Sequence, residues 1–386
     1  MKKLVVDSWT EKKLRKGVQL LDGKDFSDLP FNNQLAELVS KRGDLLGTAY
    51  LSPQQKGIGW LISRQRQVLD ESYFEDIFQK ARAKRQSLEQ SERTTAYRLF
   101  NQDGDDFGGL TVDRYGDFAL FSWYNAFVFS QKEMIIKAFR TVFPDLVGAY
   151  EKVRFRGQSY DSAHLYGQEA PPVFSILENG VSYQVFLNDG LMTGIFLDQR
   201  PVRQELINGL ATGKRVLNLF SYTAAFSVTA AMGGAAETTS VDLAKRSLEL
   251  SKAHFEANHL RTENHRFVVM DVFSYFKYAR RHEQQFELII IDPPSFARNK
   301  KQTFSVQKDY HKLIQEARTL LSPQGTLIAS TNASNMTVEQ FRKEIEKGFA
   351  AQKHHYSKLQ QLPSDFAVNK HDERSNYLKV FTIKVK

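Results

Sequence analysis

Five apolar runs in the second half of the chain carry the strongest periodic signal: KRVLNLF (214–220), ETTSVDL (237–243), HRFVVMD (265–271), FELIIID (286–292) and GTLIAST (325–331). Each is followed by a helix-like stretch. Strands that alternate with helices must cross over between neighbours, which predicts a parallel sheet covered on both faces. Upstream the texture differs. Up to about residue 70, short β-like runs such as LLGTAYLSP and GIGWLIS are broken by turns, which predicts a small β-rich module. In ESYFEDIFQKARAKRQSLEQ (71–90), Phe74, Ile77, Phe78 and Ala81 fall at helical spacing opposite a charged face. Between there and residue 190, strand-like runs alternate with Gly and Asp turns, KEMIIKAFRTVF forms an amphipathic helix, and strands return around FSILENGVSYQVFL. The predicted organisation is therefore a β-rich segment (1–70), a mixed α+β segment (71–190) and an α/β domain (191–386).

Composition adds three constraints. The mean hydropathy is -0.44 and no long apolar run occurs, so a membrane span is not expected. The N-terminus, MKKLVVDSWTEKKLRKG, has too short an apolar stretch for a signal-peptide core and reads as folded, cytoplasmic sequence. The net charge is +9, which favours a polyanionic partner through counterion release. Basic runs at SRQRQ (63–67), KARAKRQ (80–86) and KVRFRGQ (152–158) fit that partner, although each also fits an ordinary solvated surface. The chain contains no cysteine, which removes disulfides, thiolate metal sites and any thiol nucleophile. His254 and His259 lack an accompanying acid or thiol set and read as surface residues, so no metal is expected.

Ligands of such sheets bind at the carboxyl ends of the strands. Those ends carry Asn218, Asp242, Asp271, Asp292 and Thr331. Ser221 to Ala225 form a loop of small and hydroxyl residues opening a helix, whose N-terminal amides suit a polar ligand group. Asp242, followed by Leu243, stands where an acid accepts from a ribose diol, and Asp271, followed by Val272, where one accepts from an adenine amine. Taken singly, each acid reads equally well as a helix N-cap; together they indicate a nucleoside site. No phosphate-loop motif is present, so an adenosine ligand without a polyphosphate, S-adenosylmethionine (SAM), fits best. At Asp292-Pro293-Pro294 the prolines end the strand ladder. An acid, two carbonyls without ladder partners and Phe296 beside them suit a flat, amino-bearing nucleobase.

The motifs YRLFNQDGDDFGGLTVDRYGDF (97–118), TGIFLDQR (193–200), VLNLFSYTAAFSV (216–228) and DPPSFARNK (292–300) resemble the type I group of large-subunit ribosomal RNA methyltransferases. Nearly the whole chain takes part. The resemblance implies an N-terminal PUA-like domain, a central α+β domain and a C-terminal class I (Rossmann-like) SAM domain. It places Asp198, Gln199 and Arg200 at the cofactor, Phe220, Ser221, Tyr222 and Thr223 at its methionine end, and Asp242 on the ribose. Where the family's loop reads Tyr-Thr-Gly-Gly, this chain has Ala224-Ala225, and alanine resists positive φ.

Type I enzymes resemble cytosine-5 methyltransferases, whose chemistry needs a thiolate to add to the ring. Here ASTNASNM (329–336) places Asn332 at the position of that thiol, so cytosine-5 methylation by that route is not expected. The chain is also similar to the guanine-N7 methyltransferase K group, through QTFSVQKDY (302–310), the Asn332 turn and SDFAVN (364–369). That similarity implies methyl transfer to a guanine nitrogen, with Asp292 and the Pro293 and Pro294 carbonyls on the base edge, Phe296 stacked on it and Asn332 orienting it. An exocyclic amine is the nearest competitor. Arg64 and Arg66, with Arg298, Lys300 and Lys301 at the site mouth, are the expected RNA contacts. The expected partner is large-subunit rRNA or a ribosomal particle, with no membrane and with room for a homodimer. A protein or small-molecule methyltransferase and a catalytically silent RNA-binding factor are the other readings.

Overall fold

The computed structural model describes residues 1–26, 33–298 and 303–386. The chain divides into two compact units. The first comprises Met1–Ile176, Phe186–Thr193 and Ser364–Asn376; the second comprises Leu177–Val185, Gly194–Pro363 and Tyr377–Lys386.

In the first unit, Lys2–Val5, Gln34–Val39, Leu45–Leu51, Gly59–Ser63 and Leu20–Leu21 make a five-stranded sheet in that spatial order. A helix at Ser8–Arg15, capped by Asp7, accompanies the strands of this β-rich segment. A second five-stranded sheet runs Ser162–Gly167, Gly148–Val153, Phe118–Trp123, Leu110–Tyr115 and Ala96–Asn101. The predicted helices are present at Glu71–Lys84 and Lys132–Val142. Tyr50 and Trp60 of the first sheet share one core with Phe74, Phe78, Phe100 and Phe107. The residue-70 boundary thus falls inside a continuous apolar core.

The basic runs are not uniformly solvated. Arg85 is buried and pairs bidentately with buried Asp105 (2.8 and 2.6 Å). Lys152 is fully buried and donates to the carbonyls of Gly190 and Met192; burial lowers its pKa to about 8. These cations hold backbone together rather than a surface ligand. Arg64 and Arg66 are exposed, Arg66 pairing with Glu37 at 3.0 Å.

In the second unit, seven strands are labelled in chain order: β1 Arg215–Leu219, β2 Glu237–Asp242, β3 His265–Val269, β4 Phe286–Ile291, β5 Leu321–Thr331, β6 His354–Gln360 and β7 Lys379–Val385. Their spatial order is β3-β2-β1-β4-β5-β7-β6. β1 to β5 are parallel and β7 is antiparallel to both its neighbours, so the sheet is mostly parallel, as the alternating runs predict. β4, with Leu288, Ile289, Ile290 and Ile291 all buried, is covered on both faces, the reason its sequence is a continuous apolar run. The chain order reverses between β1 and β4, and a ligand crevice is expected outside the carboxyl ends there. β6 and β7 are hydrogen-bonded neighbours, yet residues 364–376 between them belong to the first unit. There Asp365, fully buried, accepts from the Arg98 amide at 2.9 Å.

Candidate active site

The loop after β1 is wound tightly. Phe220, Tyr222 and Ala224 have φ of 58°, 50° and 60°, left-handed values that L residues adopt at a cost of about 1 kcal/mol or more each. Three such residues so close together persist only because neighbours hold them. The Asp242 carboxylate accepts from the Tyr222 amide (2.9 Å) with one oxygen and the Ala244 amide (2.9 Å) with the other. Gly194 donates to the Tyr222 hydroxyl (3.1 Å) and accepts from the Thr223 hydroxyl (2.6 Å). The TGIFLDQR segment therefore clamps the Tyr-Thr loop directly. Ala224 takes the left-handed conformation that alanine resists, and caps the helix Ala225–Met232 from there.

The other residues expected at the cofactor sit at strand ends and helix starts of the same unit. Asn218 is buried on β1; its amide nitrogen donates to Ser227 Oγ (3.0 Å) while its Oδ1 has no hydrogen-bond partner. Ser221 is buried, and with Tyr222, Asp242, Leu248 and Val269 it lines a shallow pocket. Leu243 is exposed. Asp271 is the N-cap of the helix Val272–Arg281, accepting from the Ser274 amide at 3.1 Å, so capping is one role it fills. Arg200 is buried at the start of the helix Arg200–Glu205.

On the β4 and β5 side, Asp292 follows the last residue of β4 and faces Gln199. Gln199 Nε2 donates to Asp292 Oδ2 (3.1 Å) and to Ser330 Oγ (2.8 Å) at the end of β5. Desolvation raises the Asp292 pKa to about 6, and the nearby Asp198 adds to this, against hydrogen bonds from Ser330 and Gln199 and the charge of Arg203. Tyr310 pins the two strand ends, its hydroxyl lying 3.2 Å from the Ile291 carbonyl and 3.0 Å from that of Ser330. Pro293 is buried and Pro294 exposed. Phe296, 62% exposed, opens a two-stranded ribbon in which Phe296–Arg298 pairs with Thr303–Ser305. Asn332 is exposed and its Oδ1 accepts from Ser295 Oγ at 2.7 Å. The structure thus brings Gln199, Asp292 and Ser330 together, with Asn332 tied to the loop that carries Phe296. Lys300 and Lys301, and the side chain of Arg298, lie outside the described residues.

Several supports have no isolated signal in the sequence. Arg203 is buried and makes a two-pronged pair with buried Glu178 (2.6 and 2.7 Å) while donating to the Phe196 carbonyl (2.8 Å). That pair braces the turn carrying Asp198 and Gln199. Tyr377 donates to Asp198 Oδ2 at 3.0 Å, and buried Lys379 donates to the Ala333 carbonyl (2.9 Å) in the turn after β5. His254 is a correction: it is fully buried rather than a surface residue, with Nε2 3.0 Å from the Gln184 carbonyl. Burial pushes its pKa down to about 4, so it is a neutral core histidine. Periodicity along the helix Arg246–Glu256 is the signal that could have found it, since His254 lies three residues after Ser251 and one before Phe255, both buried.

Residues 148–374 match the family described as S-adenosylmethionine-dependent methyltransferase, and residues 4–64 match a PUA-like domain. The Bacillus subtilis (strain 168) protein named "Putative ribosomal RNA large subunit methyltransferase YwbD" is 40% identical, over 100% of both chains. Ribosomal RNA large subunit methyltransferase I of Photobacterium profundum is 31% identical, over 86% of this chain and 83% of its own. The crystal structure of SMU.776 complexed with SAH superposes with a TM-score of 0.97 at 66% identity, covering 100% of both chains. The residues present here fit such a cofactor. The orphaned Asn218 Oδ1 at the end of β1 is a buried acceptor that a ligand N–H can satisfy.

Proposed function

Because this chain belongs to the S-adenosylmethionine-dependent methyltransferase family and carries a PUA-like domain, we propose that it methylates large-subunit ribosomal RNA at a guanine ring nitrogen, N7. The relatives' names support the RNA class. The observation that carries the atom is the complete absence of cysteine, beside an acid at the end of β4. Without a thiolate, carbon 5 of cytosine cannot be activated by covalent addition, whereas guanine N7 already holds a lone pair in the ring plane.

Bound SAM supplies an electrophilic methyl group on a sulfonium. The chain's own residues have a modest chemical task, to hold the base still and in line. Asp292 accepts from the N1 and N2 hydrogens of guanine, which leaves N7 on the opposite edge free to face the methyl group. As the carbon–sulfur bond breaks, its electron pair stays on sulfur and the N7 lone pair forms the new bond. No proton leaves, and the ring becomes cationic. The Asp292 carboxylate stabilises that developing charge in a site of low water content. Phe296 provides the stacking face, and Asn332, tied to Ser295, sits beside the same loop. The Asp242-held loop and Asn218 serve the cofactor. Arg64 and Arg66 stand exposed for RNA phosphates, and a base reaches the sheet edge by extrusion from its stack.

One observation favours a second reading. A carboxyl whose pKa is raised to about 6 is suited to take the proton that an exocyclic amine must lose on methylation. Nucleoside mass spectrometry of large-subunit rRNA from cells lacking the protein, before and after incubation with protein and SAM, separates the two. Appearance of 7-methylguanosine is the expected result; N2-methylguanosine selects the second reading, and 5-methylcytidine overturns both.

A further inference from the structure

We propose that Gln199 is a base-selecting residue that fixes Asp292 and offers its own carbonyl oxygen to the exocyclic amine of the target guanine. The inference rests on the guanine reading above. Both hydrogens of the Gln199 amide are committed, one to Asp292 Oδ2 at 3.1 Å and one to Ser330 Oγ at 2.8 Å. The opposite amide orientation would set a carbonyl oxygen against the carboxylate, so these partners decide which way the group faces. Oε1 is consequently left over. Gln199 is 3% exposed and its Oε1 has no hydrogen-bond partner, a desolvated acceptor of the kind that native structures rarely leave unpaired.

The backbone around Gln199 is tied down. The turn that carries Gln199 is braced by the Arg203–Glu178 pair through the Phe196 carbonyl, and its neighbour Asp198 is held by Tyr377. An unpaired acceptor that entry of the base uncovers selects an N–H donor, and its side chain is bonded to the carboxylate assigned to the guanine edge. The exocyclic amine has two hydrogens, so one can go to Asp292 and the other to Gln199. A base without that amine leaves Oε1 unpaired, and this penalty on the wrong base gives selectivity that shape alone does not.

The test uses the full chain, SAM as methyl donor, SAH for the binding measurement, and an rRNA fragment containing the guanosine identified by mass spectrometry, made also with inosine at that position. Inosine keeps N7 and N1–H but lacks the amine. Wild-type protein is expected to methylate the inosine fragment about tenfold more slowly in single turnover. In Gln199→Leu, SAH affinity by calorimetry is expected to stay within about threefold, transfer to guanosine to fall about 30-fold or more, and the inosine penalty to disappear, the non-additivity expected of a direct contact. Loss of SAH binding in Gln199→Leu with the inosine penalty intact would make Gln199 a cofactor ligand and overturn the proposal. So would wild-type protein that treats inosine and guanosine alike, a result that needs no variant to fold. Failure of the underlying guanine reading shows separately, as wild-type product on another base.

Discussion

The two halves of the sheet edge hold their acids in different ways. At the end of β2, Asp242 spends its oxygens on backbone amides of Tyr222 and Ala244, so its geometry is set by the loop it anchors. At the end of β4, Asp292 meets side chains: Gln199 directly, Ser330 beside it and Asp198 at longer range. A carboxylate satisfied by amides that point at it is a fixed piece of scaffold. One desolvated among neutral donors and a second acid is left with unmet demand for positive charge, which is the condition for a raised pKa and for an acid that interacts strongly with a cationic ring. The β2 side is held by backbone, and the β4 side by side chains that further side chains position.

Substitutions at the two acids should separate these halves. Asp292→Ala is expected to reduce transfer by about a thousandfold or more while SAH affinity changes by no more than a few fold; a parallel loss of SAH affinity would place Asp292 at the cofactor instead. Asp242→Ala should act the other way, weakening SAH binding about 30-fold or more through release of the strained Tyr222 backbone, as read by calorimetry.

The pH response sharpens the contrast. With a folded pKa of about 6 against an ordinary 3.8, Asp292 is protonated in the native protein over a range where it is ionised in the unfolded chain. Transfer that needs the carboxylate should therefore decline about tenfold per pH unit below about 6. Stability runs in the opposite sense: the protonated form favours the fold, and that contribution is lost as pH rises from 3.8 through about 6. Asp292→Asn should accordingly unfold at a higher temperature than the wild type at pH 8, by on the order of 1–3 kcal/mol of stability, and a lower melting temperature would count against a desolvated carboxylate. The smallest effect is expected at the loop: Ala224→Gly relieves the left-handed backbone but removes a buried methyl, so urea unfolding should shift by no more than about 1 kcal/mol.

How much of this is legible in the chain follows from the range of each interaction. The β4 run and its Asp-Pro-Pro stop are local, as are the strand-end acids, and their positions in the sheet agree with the alternating pattern. The basic runs are less informative. Arg85 and Lys152 look like surface charge in a linear reading, and their burial depends on Asp105 and on the carbonyls of Gly190 and Met192. His254 misleads for the same reason, since its partner is the distant Gln184 carbonyl.

Residue order is enough to settle the class of fold and the chemistry available to it. Short apolar strands with intervening helices compel a covered parallel sheet, and a chain without cysteine holds no thiol nucleophile. Which polar groups meet is a matter of long-range packing. Gln199 and Asp292 are 93 residues apart, Arg203 and Glu178 25, and Tyr377 and Asp198 179. A residue's own type states what bond it can make, but whether its partner is water, backbone or another side chain depends on what the fold places within about 3 Å of it, and that is where the raised carboxyl and the unpaired amide oxygen arise.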